Sequence, residues 1–292
     1  MPNVQLEFGI LNVVAHPHGA GTYSRLLARA ANREINFWGD LNAAIREPRE
    51  VEEGIFQSEI VIGTEIDLDE PLIDRRSLEE IEADEADVRV STAHLYNGRV
   101  FLYTFVEEGH LLFFQSRNEF GKTLSPNRAH RIFSRLFSQE LLGPQSPYVD
   151  VTVVPEDDTL EMLLGLDRLE RGEIRLQRPN PADVTDGETQ EILAELEERG
   201  AKRQDTSLVK APGVPRIVLN AKNILLARVA QFNGWVSASG ATEDGERFVG
   251  STREYPKVVK VVIDAATASV SATARRIARG TRIGGGPPPE GD

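Results

Sequence analysis

The chain has no cysteine among its 292 residues, and only two methionines and two tryptophans. Without thiols, there are no disulfides, no cysteine nucleophiles and no Cys-ligated zinc or iron–sulfur centres. No run reaches the ~18–20 apolar residues of a membrane-spanning helix, and the N-terminal MPNVQLEFGILNVV lacks a basic stretch ahead of its apolar one. The expectation is a cytoplasmic protein with no membrane contact. Phosphate-cradling loops of the GxxxxGK[ST] type, GxGxxG between strand and helix, and GxSxG nucleophile elbows are missing too. Kinase, dehydrogenase and serine-hydrolase chemistries therefore find no support.

What is present is an uneven charge. Residues 47–87 hold 16 Asp and Glu against 3 Arg, a balance of −13, which equals the net charge of the whole chain. The remainder carries 30 charges of each sign (46 less 16 acidic, 33 less 3 basic). The protein is thus a neutral molecule with one acidic insert, which either solvates a surface or masks a basic one.

The hydrophobic pattern predicts an α+β fold with an antiparallel or mixed sheet. Residues 1–98 form an α/β region containing the acidic insert. An apolar strand over 4–14 and a helix over 23–34 open it. Within the insert, a strand over 56–68 places Ile60, Ile62, Ile66 and Leu68 on one face and Glu65, Asp67 and Asp69 on the other. Residues 99–200 read as a ferredoxin-like β-β-α-β-α-β core with helices on one face of the sheet. Glu107-Glu108-Gly109-His110 is its first turn, and Ser125-Pro126 is an N-cap followed by proline in the first helical turn. Residues 200–215 hold few large apolar side chains, and 201–222 read as a linker. A β-rich piece follows over 223–283, with turns at Asn233-Gly234 and Asp244-Gly245, and residues 284–292 (GGGPPPEGD, from Gly284 to Asp292) form a flexible tail.

Three constellations could carry chemistry. Glu65, Asp67 and Asp69 offer hard oxygen ligands at strand spacing, the requirement for a Mg²⁺-dependent nuclease. His16 and His18 make half of a metal site, without a matching partner motif; His94, His110 and His130 fit structural positions. Arg128, Arg131 and Arg135 repeat at helical spacing after Arg117 and Lys122, so residues 100–138 hold 5 basic against 3 acidic residues. Aromatics interleave with them, a combination that binds single-stranded nucleic acid or, through charge alone, an acidic protein. Arg275, Arg276, Arg279 and Arg282 form a second basic stripe near the C-terminus. No cofactor is predicted, with Mg²⁺ entering only under the nuclease alternative.

The succession GTEIDLDEP, HLLFFQSRNEFGKTLSPNRAHRIFSRL, VDVTVVPEDDTLEMLLGLDRLERGEIRLQRPNPAD and VAQFNGWVSASGATEDGERFVGSTREYPKVV resembles the bacterial family of domain of unknown function 4747, over residues 63–262. The resemblance carries over no catalytic residues. It implies a mobile-element or phage-defence setting, hence an accessory or effector protein that binds nucleic acid or an acidic protein through the arginine-striped helix. A pure protein-interaction module is the remaining alternative.

Overall fold

The computed structural model describes residues 3–17, 19–67, 70–81, 91, 93–178, 187–264, 266 and 268–281. His18, Asp69, Arg282, the tail from Gly284 to Asp292 and most of the charged run after Ile81 lie outside these described residues.

The organising element is β1 (Asn3–His16). Its even positions Leu6, Phe8 and Ile10 face one side and its odd positions Leu11, Val13 and Ala15 the other, and all six are buried. A strand covered on both faces needs the near-continuous apolar run that the sequence shows. One edge of β1 pairs with β9 (Leu111–Arg117). The other edge is shared between β15 (Val258–Asp264), along residues 3–9, and β10 (Tyr148–Val153), along residues 11–16. Beyond β9 the antiparallel sheet continues through β8 (Tyr96–Val106) and β5 (Ile55–Thr64) to β3 (Leu41–Ile45) and β2 (Ile35–Trp38), with β4 (Arg49–Glu52) on the remaining half of β5. A two-stranded ribbon, β6 (Leu72–Ile73) with β7 (Glu80–Ile81), stands apart.

Helices cover both faces of this nine-stranded sheet. On one side α1 (Thr22–Ala30), α2 (Pro126–Leu136) and α3 (Gln139–Leu142) bury Leu26, Leu27, Ile132, Phe133 and Leu136 against Phe56, Ile60, Phe101, Tyr103, Leu112 and Phe114. Helix α2 touches both β10 and β2, the two ends of the strand path, so the sheet curls around it. On the other side α7 (Val270–Gly280) packs Ala274 and Ala278 against Leu6, Phe8, Ile10 and Phe113. The expectation of helices on a single face is therefore corrected. Two-sided burial of β1 demands a second layer, and at roughly 1.5–3 kcal/mol per buried large apolar side chain each layer contributes substantially.

A second antiparallel sheet runs β12 (Arg203–Val209), β11 (Arg168–Gln177), β13 (Gly234–Ala241), β14 (Arg247–Ser251). Ile174, Leu176 and Val236 face α4 (Thr159–Leu164), α5 (Gly187–Glu198) and α6 (Ala221–Ala230). The ferredoxin-like core expected over residues 99–200 is not a single sheet. Strand β1 stands between β9 and β10, and β11 leaves for the second sheet. The linker expected over 201–222 contains β12, whose alternating half-buried side chains cover the edge of β11. The piece over 223–283 is not a separate unit either, since β13 and β14 join the second sheet while β15 returns to β1.

Candidate nucleic-acid interface

The cap predicted at Ser125 positions the arginine-striped helix. The Ser125 side chain accepts from the Arg128 backbone N–H and Pro126 opens the helix. The helix stops at Phe137, and Ser138 caps a new turn, α3. With Ala129, Ile132, Phe133 and Leu136 turned inward, Arg128, Arg131 and Arg135 are left exposed. Arg131 lies over the ring of Trp38, 4.2 Å from its centroid, and Arg135 donates through Nη1 to the Asn36 carbonyl of β2. Trp38 remains 51% exposed. An exposed indole carrying a guanidinium is a stacking surface with a cation attached.

A second cluster of the same composition stands on the uncovered face of the second sheet. Strand register places Asp205, Arg175 and Trp235 in one row across β12, β11 and β13. Arg175 lies 5.1 Å from the Trp235 ring centroid and Arg253 lies 4.7 Å from it, so two guanidiniums share one indole. Asp205 pairs with Arg175 at 2.7 Å and with Arg203 at 2.9 Å. Next along, Lys202 Nζ sits 3.1 Å from the Tyr148 ring centroid, and the Tyr148 hydroxyl donates to Asp150 at 2.8 Å. Burial pushes the Asp150 carboxyl above the usual carboxylate range, against the pull of that hydrogen bond and of Lys202. Tyr148 is raised in turn, first by burial and then by Asp150.

His130 feels the charge of an arginine from each cluster. Its Nε2 meets the Val151 carbonyl of β10 at 3.0 Å. Burial lowers its pKa, and the charges of Arg253 and Arg131 lower it further. Arg253 is likewise held below its ordinary value, first by burial and then by the charge of Arg175. Linked by cation–π contacts, by the shared Asp205 and by the charges that act on His130 and Tyr148, the track runs Trp38, Arg131, His130, Arg253, Trp235, Arg175, Arg203, Tyr148, Lys202. Both tryptophans of the chain lie on it.

The other candidate residues fall elsewhere. Arg117 pairs with Glu7 at 3.3 Å, and Lys122 stands exposed in the turn after β9; none of the contacts that link the track involves either. The carboxylates expected on one strand face are not on a strand, because β5 ends at Thr64. Glu65 instead accepts from Asn42 Nδ2 at 2.9 Å, beside Glu34, which accepts from the same amide at 2.8 Å. Asp67 follows in an irregular segment and Asp69 lies outside the described residues. His16 Nε2 meets the Arg178 carbonyl at 2.9 Å, His110 is buried against Tyr23, and His94 is exposed. Among the described residues, no three His, Asp or Glu gather as a metal-binding group.

Sequence reasoning missed Trp38, Trp235, Arg175, Arg253, Lys202, Arg203 and Tyr148. A signal was available for some of them. The two tryptophans each adjoin a glycine of positive φ, Gly39 and Gly234, and Arg175 alternates with the core residues Ile174 and Leu176.

No helix among the described residues is long and apolar enough to cross a membrane. Among curated proteins, no relative matches the chain. A family profile described as Domain of unknown function (DUF4747) matches residues 4–279, nearly the whole length, and the chain belongs to that family.

Proposed function

We propose that the protein binds single-stranded nucleic acid along the arginine–aromatic track. One observation carries this: the only two tryptophans of the chain each lie beneath arginine guanidiniums, on separate sheets, and His130 feels the charge of an arginine from each cluster. Such a surface offers bases a π-face and phosphates a cation, and neither is sequence-selective. A duplex presents no unstacked bases, so the preference is for single strands. The setting proposed with it is that of a cytoplasmic bacterial accessory or effector protein of a defence-type locus, as the family resemblance implies.

The two tryptophans also supply the assay. Stacking of bases quenches indole fluorescence, so titration with oligothymidylate should quench the intrinsic emission, and added salt should restore it. Trp38→Phe and Trp235→Phe, each leaving one reporter, would assign the signal to either end. An acidic protein as the true partner would leave emission unchanged with oligonucleotide while retaining salt-sensitive binding to a polyglutamate resin, and the nucleic-acid proposal would then be abandoned.

A further inference from the structure

A cavity lies on the far side of the second sheet from Trp235. Leu160 and Leu164 of α4, Ile224 and Arg228 of α6, and Arg216, Val218 and Leu219 of the preceding segment line it, with Glu161 at its margin, around about 480 Å³. That volume falls in the range of small-molecule sites, roughly 300–1,000 Å³. The segment is fixed in place, since the Ile217 N–H donates to the Leu169 carbonyl at 2.8 Å while Ile217 and Leu219 pack against the core. Five aliphatic side chains supply an oily lining that takes an alkyl chain.

The charged rim decides the head group. Neither Arg216 nor Arg228 forms an ion pair among the described residues, although nine other arginines of the chain do. Arg216 makes only a 3.4 Å contact from Nε to the Ile217 carbonyl. Two guanidiniums and the Glu161 carboxylate sum to one positive charge, which a monoanion neutralises and a phosphate dianion would overshoot. A guanidinium fork matches a carboxylate in geometry as well as charge. A peptide is disfavoured because helices and side chains line the cavity, so no free strand edge offers main-chain hydrogen bonds. We propose that this cavity binds a small aliphatic carboxylate, its chain between α4 and α6 and its head group at Arg216 and Arg228.

The test is calorimetric titration of the full chain with decanoate and, in parallel, decanol. Decanoate should bind below its micelle-forming concentration, about tenfold or more tighter than decanol, the value of one charge-assisted hydrogen bond. The double variant Arg216→Gln, Arg228→Gln should lose that preference and bind both alike; both side chains are exposed, so the fold is retained. Val218→Asp, at an 84% exposed mouth position, should weaken decanoate and spare decanol. Equal affinity for the two ligands in the unmodified chain, no binding of decanoate, or a preference that survives the double variant would each overturn the proposal. Oligothymidylate binding uses the opposite face of the sheet, so its success or failure is read separately.

Discussion

The electrostatic share of single-strand binding can be worked out from the cations left free on the track. Arg128, Arg131, Arg253 and Lys202 lie on or beside it outside any close ion pair among the described residues, whereas Arg175 and Arg203 are both engaged by Asp205. If those four each neutralise a phosphate, counterion release gives a slope of log affinity against log salt near −2.8, at about 0.7 per contact. Replacing Arg131 and Arg253 by Gln removes two contacts and should halve the slope to about −1.4. Between 50 and 200 mM salt the unmodified protein would lose roughly 50-fold in affinity and the double variant only about sevenfold. The folding cost is small, because an exposed cation–π pair contributes about 0.5–1 kcal/mol and each of the two arginines stands over one indole. Fluorescence anisotropy of labelled oligothymidylate over a salt series measures both slopes, with thermal unfolding as the control. An unchanged slope in a folded double variant refutes the placement of phosphates at His130 and its two flanking arginines.

His130 gives an independent check. Its folded pKa lies below 6.5, so the unfolded chain takes up a proton that the folded protein refuses, and this contribution to stability is lost as pH falls from about 6.5 through the folded value. A bound polyanion offsets Arg131 and Arg253, so the imidazole resonance should titrate at higher pH with oligothymidylate than without; coincident curves would count against the track. Glu52→Gln should cost at most about 1 kcal/mol in urea unfolding, because its two partners on α7, Arg275 and Arg279, are part-exposed. The same variant should leave oligonucleotide affinity on the track unchanged, and a loss of affinity would link the two faces. Gly234→Ala should destabilise the protein by on the order of 3 kcal/mol, because the glycine has φ 144° and an added Cβ would strike the Arg175 carbonyl oxygen. A thermal midpoint within a degree of the unmodified chain would show that β11 and β13 do not approach as described.

Local structure was legible in the sequence wherever a few consecutive residues decide it. The Glu107–His110 turn joins β8 to β9, Ser125 caps α2, and the loop ending at Gly245 joins β13 to β14, because caps and turns are set by side-chain oxygens and by glycine at positive φ. Strand partnership was not legible. Alternation shows which residues of β11 face a core, but not that the core is the one under α6 rather than the one under α2. The same limit misplaced the carboxylates. Ile66 continues the alternation of Ile60 and Ile62 in the sequence and sets Glu65 on the opposite face, yet β5 loses its partner β3 after Leu41 pairs with Thr64, and the ladder ends there. The site suffered most, since its residues come from α2, β2, β10, β11, β12 and β13 and meet only through both sheets.

The acidic insert now has a specific physical role. Its first part is a folded element: β4 and β5 form a hairpin, and Glu52 at the end of β4 takes Arg275 and Arg279 of α7, while Gln57 exchanges hydrogen bonds with Ser271 at 2.6 and 3.1 Å. This part of the insert thus pairs two arginines of the C-terminal stripe, Arg275 and Arg279, on the face of the large sheet opposite α2. Helix α2 keeps its arginines uncovered by any acidic partner among the described residues. A chain of net charge −13 repels a polyanion at long range, and ordinary ionic strength confines that repulsion to a Debye length of about 8–10 Å. Within that distance the contact is decided by local charge, and on the track local charge is positive. An acidic protein with a locally positive track should attach weakly at very low salt, where the net charge is felt, as well as at high salt, where phosphate contacts are screened. A binding optimum at intermediate ionic strength follows from this arrangement, in contrast to the steady decline expected of a uniformly basic protein.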